Sequence, residues 1–211
     1  MSTIYPSQCK CSVCGEESEQ LELMSTNSFG SPDLDLRPSQ MQRGTMPFWI
    51  QKCPHCGYIS GSIEDEAGID KGFLASQEYR TCSDIGFQAD LSKDFYRYYL
   101  INTARQKTNQ AFYAILYAAW SCDDAGDTAN AVHCRKLAIA EIEKMISQTD
   151  DETRKIQRAD LLRRAGLFDV VINEYSDLHF EDEMLEKVVR FQIEKAKQKD
   201  TNCYTLSDVI D

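Results

Sequence analysis

The sequence predicts an α+β chain that is mostly α: a small β module held by four cysteines, followed by a bundle of helical hairpins. Three observations carry this. Two CxxC pairs, each followed by glycine, stand at Cys11-Ser12-Val13-Cys14-Gly15 and Cys53-Pro54-His55-Cys56-Gly57. All five prolines (Pro6, Pro32, Pro38, Pro47 and Pro54) fall in the first 70 residues, among short β-like pieces. Beyond them proline is absent and apolar residues recur at helical spacing. The division is therefore placed at residues 1–70 and 71–211.

Each CxxC pair supplies two sulfurs from one tight turn, and two such turns facing each other make a tetrahedral thiolate cage, the ligand set of a structural zinc site. Gly15 and Gly57 stand where the chain must turn through positive φ for amide N–H groups to point at sulfur. The expected ligands are Cys11, Cys14, Cys53 and Cys56, and the expected cofactor is a structural Zn²⁺. Cys9 offers a third sulfur nearby and could replace Cys11, although CxxC geometry favours Cys11 with Cys14. His55 lies inside the second knuckle and is expected to point outward. A shell filled by protein leaves no position for water, which disfavours metal catalysis; iron can take the place of zinc during expression.

The module that surrounds such a site is a zinc ribbon. Residues 21–24, 48–52 and 58–63 read as strands by alternation and aromatic content. The segment between the knuckles is longer than a minimal ribbon needs, and the excess, 26–47, is rich in Ser, Pro, Gly and Asp: an extended loop, ordered by packing on the rest. Glu64-Asp65-Glu66 reads as a solvated acidic turn or a first helical turn.

In the second part, Ala131, Cys134, Ala138, Ile142 and Met145 form one apolar stripe on a helix that begins after Gly126-Asp127-Thr128. Leu185, Val188, Val189, Gln192 and Ala196 form another, with one polar member. Residues 94–107, 110–124, 156–164 and 168–178 also read as helices, and a last one is expected over 182–198. A faint repeat relates the segment around Gly126 to that around Gly166. In each, a small residue seven positions earlier allows close helix approach, and the glycine ends the first helix. The offset of 40 exceeds the roughly 34 residues of a regular tetratricopeptide repeat, so these are tetratricopeptide-like hairpins, with flanking helices as caps.

These motifs resemble those of a group of bacterial proteins defined only as a domain of unknown function, which join an N-terminal zinc ribbon to a C-terminal tetratricopeptide-like domain. The resemblance lies in the two knuckles (the second continuing to Tyr58), in Ala118-Ala119-Trp120-Ser121-Cys122-Asp123-Asp124, and in the hairpin from Leu161 to Phe168. It implies metal ligation by the four knuckle cysteines and no reaction.

The net charge is −11. Residues 1–70 hold four basic side chains (Lys10, Arg37, Arg43, Lys52) against ten acidic ones, a local balance of −6. Four thiolates on Zn²⁺ add about −2 more. Phosphate binding needs a positive footprint, so the charge weighs against nucleic acid. No apolar run approaches the roughly 20 residues of a membrane span, and no secretion signal is visible at the N-terminus. Nine cysteines without export point to a reducing compartment, and the cytoplasm is the expected location.

No Ser/His/Asp arrangement, phosphate loop or GxGxxG pattern is present, and His133 and Cys134 are adjacent on a helix, about 100° apart, so they do not meet. The chain is expected not to be an enzyme. Cys122 and Cys134 are expected to pack as small apolar residues, and His179 to cap a helix or lie on the surface. Eight of the 21 aromatic residues fall within positions 95–120, with Tyr113, Tyr117 and Trp120 on one helix face. They make either core or a groove for an extended peptide lined by Tyr113 and Tyr117. The functional expectation is a protein-interaction adaptor for a protein or peptide partner. The alternatives are a thiol redox sensor that releases zinc on oxidation, and a nucleic-acid-binding ribbon.

Overall fold

A computed structural model of the chain describes residues 2–210, and the side chains of all of these except Thr81, Ser83 and Asp84. It is α+β and mostly helical, with small antiparallel strand pairs confined to the N-terminal part. Strand β1 (Thr3–Lys10) pairs with β2 (Glu17–Ser25) from Thr3↔Ser25 to Lys10↔Glu17, with an irregularity between Thr3 and Ile4. Two further pairs have only two residues per strand: β3 (Ser28–Phe29) with β4 (Gln40–Met41), and β5 (Gln51–Lys52) with β6 (Ile59–Ser60). Alternation places Tyr5, Ser7 and Cys9 on the inner face of the first hairpin. Ile4 and Leu21 lie on the outer one. Pro6 has no N–H and is tolerated because β1 has a partner on one side only.

The segment expected over 21–24 is the middle of β2. The strand expected over 48–52 is shorter: a 3₁₀ turn occupies Arg43–Phe48, because Pro47 has no donor for a ladder. The segment 58–63 keeps only the two residues of β6. Residues 64–66 form exposed turns, and the Glu64 carboxylate accepts from the Lys10 amide at 3.1 Å.

Two short helices, α1 (Lys71–Ala75) and α2 (Gln77–Thr81), follow with Asp70 and Ser76 as N-caps. The long helices are α3 (Asp90–Ala104), α4 (Thr108–Asp124), α5 (Thr128–Ile146), α6 (Glu152–Arg164), α7 (Phe168–Tyr175) and α8 (Glu183–Lys197), with α9 (Ser207–Ile210) at the end. Helix α4 packs along both α3 and α5, and the layer continues through α6 to α8. Its buried face is Ala-rich (Ala111, Ala114, Ala118, Ala119), which lets two neighbours approach closely. After Gly126 and Gly166 the chain closes the preceding helix with Asp127 N–H to Cys122 O at 2.8 Å and Leu167 N–H to Leu162 O at 2.9 Å, the wider bond of a Schellman motif. The helices start earlier than apolar spacing shows at α3, α4 and α6, because polar N-terminal turns carry no stripe. Helix α7 ends three residues before the expected 178.

No helix among the described residues is long and apolar enough to cross a membrane.

Candidate metal centre

The two knuckles are local copies of one another. In the first, Gly15 N–H donates to Cys11 O at 2.8 Å and Cys11 N–H to Glu16 O at 2.9 Å. In the second, Gly57 N–H donates to Cys53 O and Cys53 N–H to Tyr58 O, both at 2.9 Å. Both glycines have positive φ, 80° and 75°.

These turns bring the sulfurs of Cys11, Cys14, Cys53 and Cys56 within 4.8 Å of one another, with Cys11 Sγ to Cys56 Sγ at 3.7 Å and Cys14 Sγ to Cys53 Sγ at 3.6 Å. A tetrahedron with metal–sulfur bonds of about 2.3 Å has edges of about 3.8 Å. The donor set and its spacing therefore fit a divalent ion at the centre. Cys11 and Cys53 are buried, and Cys14 and Cys56 are half-buried. Burial pushes the Cys11 and Cys56 thiols up. At Cys14 burial pushes the same way but is outweighed by the Glu16 amide and the neighbouring sulfurs. A bound cation would reverse this preference for thiols, releasing protons as it binds.

Cys9, the possible competitor, is buried outside this group; its Sγ donates to Glu22 Oε1 at 3.5 Å and Ser7 Oγ at 3.7 Å. His55 also stays out, with Nε2 3.3 Å from Glu17 O. Around the centre, Ser12 N–H donates to Ile63 O and Tyr79 O–H of α2 donates to Gly57 O at 2.7 Å, so both knuckles are held from outside as well. Lys52 reaches Asp94 of α3 at 2.8 Å. Replacing Gly57 with alanine meets no neighbouring atom. The loss is then conformational, about 1–2 kcal/mol for a left-handed residue. Metal affinity, measured by competition with a chromophoric chelator, is expected to fall roughly tenfold.

A second constellation escapes sequence reasoning. The segment between the knuckles runs across the helices and buries Asp33, Leu34, Asp35 and Arg37. Asp35 is wholly buried: its Oδ2 accepts from Trp120 Nε1 at 2.7 Å and from an Arg164 guanidinium N–H at 3.0 Å, and its backbone carbonyl accepts from Gln157 Nε2 at 2.7 Å. Arg37 reaches Asp124 at 2.5 Å and lies over the Trp120 ring, 5.8 Å from its centroid. Asp123 joins Arg164 to Arg135. Burial pushes the Asp35 carboxyl up, and Arg164 and the indole N–H pull against it. At Asp123 the arginines outweigh burial and hold the carboxyl below its ordinary value. The one sequence signal was compositional: Asp33-Leu34-Asp35-Leu36-Arg37 alternates charge and leucine inside a loop.

Tyr113 and Tyr117 do lie side by side, with centroids 6.0 Å apart. The Tyr117 ring also meets Trp49 at 4.9 Å, Phe95 at 5.4 Å and Trp120 at 5.2 Å. His133 is exposed and stacks on Tyr96, 6.1 Å away, while Cys134 and Cys122 are buried. His179 is exposed, with Nδ1 3.3 Å from Arg190.

Comparison of the chain with protein-family models, with curated proteins and with solved structures finds no match.

Proposed function

We propose that the chain is a non-catalytic zinc protein: Cys11, Cys14, Cys53 and Cys56 hold one structural Zn²⁺ in a ribbon, and tetratricopeptide-like helical hairpins serve as a protein-interaction module. The observation that carries the first half is the four-sulfur cluster at tetrahedral spacing. Four cysteine thiolates suit zinc and complete its shell, so the ion would stabilise the fold without presenting a reactive position. Its role is to tie together an N-terminal part whose sheets are two-stranded only and marginal by themselves.

The second half is supported by the layered helices and by the run of aromatic rings along α4. The resemblance of its motifs to those of zinc-ribbon and helical-domain proteins supports the same reading. The test has two parts. Elemental analysis of purified, reduced protein should give one zinc per chain. Replacing Tyr113 and Tyr117 together with alanine should weaken capture of protein partners while helical circular dichroism is retained; unchanged capture would remove the groove from the proposal.

A further inference from the structure

The segment 31–37 is bound to the helices in the way a peptide ligand is bound. Its backbone runs beside the stretch before α9: Asp33 bridges Thr205 in antiparallel fashion, Leu34 N–H donates to Tyr204 O at 2.8 Å, and Leu206 N–H donates to Pro32 O at 3.0 Å. A side-chain amide, Gln157 Nε2, reads the Asp35 carbonyl. Two side chains of the segment are then recognised separately. The Asp35 carboxylate enters a buried pocket made by Trp120 on α4 and Arg164 on α6, and Arg37 two residues later takes Asp124 and the Trp120 face.

Between the two anchors, Leu36 is 41% exposed and has φ 68°, the left-handed region that costs a leucine energy. Such strain persists only where the flanking contacts over-determine it. The strain thus sits in the segment and the complementarity in the helices. The row of aromatic rings on α4 ends at this pocket, since Tyr117 and Trp120 are 5.2 Å apart.

We infer that the helices carry a peptide-recognition site for a segment that turns back on itself, as Leu36 N–H to Asp33 O at 2.9 Å and Asp33 N–H to Arg37 O at 3.0 Å close this one, with aspartate at one position and arginine two residues on, and that residues 31–37 occupy it in cis. The ligand class is a turn-forming peptide that presents an aspartate to Arg164 and, two residues on, an arginine to Asp124. The tether between the knuckles gives the cis segment a high effective concentration, so a free peptide of the same chemistry competes poorly until the segment is released. This deepens the interaction reading by naming the kind of peptide held, and it rests on that reading.

The test uses the full zinc-loaded chain and a dye-labelled peptide with the sequence of residues 31–39. Fluorescence anisotropy should show the peptide binding the Asp35→Ala/Arg37→Ala chain at least about tenfold more tightly than the wild-type chain, whose own segment excludes it. A peptide with alanine in place of the residue corresponding to Asp35 should lose that binding. If the double substitution weakens the fold, the peptide should raise its melting temperature in a dose-dependent way. The inference is overturned if the peptide at millimolar concentration neither binds nor stabilises the variant, if the wild-type chain binds it equally, or if the alanine peptide does as well. Failure here with partner capture through Tyr113 and Tyr117 intact would remove this inference alone; lost capture with peptide binding intact would confine the interaction to the Asp35 pocket.

Discussion

Replacement of Cys53 with serine is expected to leave the chain without its metal and to unfold the N-terminal strands, while the long helices stay folded. The reason lies in where apolar burial sits. Phe95, Ile101, Phe112, Ile115, Leu116, Ile142 and Leu161 are fully buried among the helices, which supply most of the large buried side chains, while Leu34, Met46, Tyr58, Ile59 and Ile63 join the same apolar cluster from the N-terminal part. Residues 3–60 have two-stranded pairs only, and such pairs are marginal in water. A four-thiolate zinc site supplies roughly 10–16 kcal/mol of apparent binding energy in small zinc domains, energy that is available only to the folded form. Losing one ligand therefore removes a larger contribution than any single packing contact here. Limited proteolysis should show new cleavages before residue 70 and a resistant helical fragment, with chelation of the wild-type chain giving the same pattern. Because the ligands must be deprotonated, metal retention should also weaken as pH falls. A Cys53→Ser chain with unchanged protease resistance would mean that the strands hold themselves.

Replacement of Arg164 with leucine is expected to be the most damaging single change among the helices. Arg164 is 7% exposed and is the cation that faces both Asp35 and Asp123. Removing it leaves Asp35 buried with the Trp120 indole N–H and the Arg37 amide N–H, and no paired cation, against its charge. Breaking a buried pair from one side costs about 3–5 kcal/mol. At about 2–4 °C per kcal/mol for a chain of this size, the melting temperature should fall by roughly 10 °C. Asp35→Ala alone should cost less, because Arg164 keeps Asp123. The double variant Asp35→Leu/Arg164→Leu should recover part of the loss, since no unpaired charge is left behind. Additive losses in a double-mutant cycle would deny the coupling that the geometry implies.

What the sequence makes legible here is what local chemistry dictates. The knuckles are readable because ligand spacing and the glycine after each second cysteine are set by the turn itself, and the same residues come together in space. The stripe on α5 is readable because its apolar residues face the core at Ala131, Cys134, Ala138, Ile142 and Met145, all buried. Gln192 is the one polar member of the last stripe. It is fully buried because it donates to Asp160 at 2.9 Å while Asp160 accepts from Arg163 at 2.8 Å, a polar network across α6 and α8.

Three features were not legible. Strand β1 has no apolar alternation that marks it, since its inner face is Tyr5, Ser7 and Cys9 and its partner strand defines it. Helices α1 and α2 have five residues each, little more than one helical turn, so no apolar position recurs to mark a stripe. The burial of Asp35 depends on partners 85 and 129 residues away, Trp120 and Arg164, and no local pattern encodes such separations. A loop rich in Ser, Pro, Gly and Asp was expected to pack on the rest; that it would insert a carboxylate into the helices is tertiary information.

The central claim is one metal ion shared by the two knuckles, and X-ray absorption at the zinc edge of the purified, reduced chain tests it most directly. The account predicts four sulfur scatterers at about 2.3 Å and none of the shorter nitrogen or oxygen distances. Zinc bound by mixed nitrogen or oxygen ligands, or a folded chain with no metal edge at all, would contradict it.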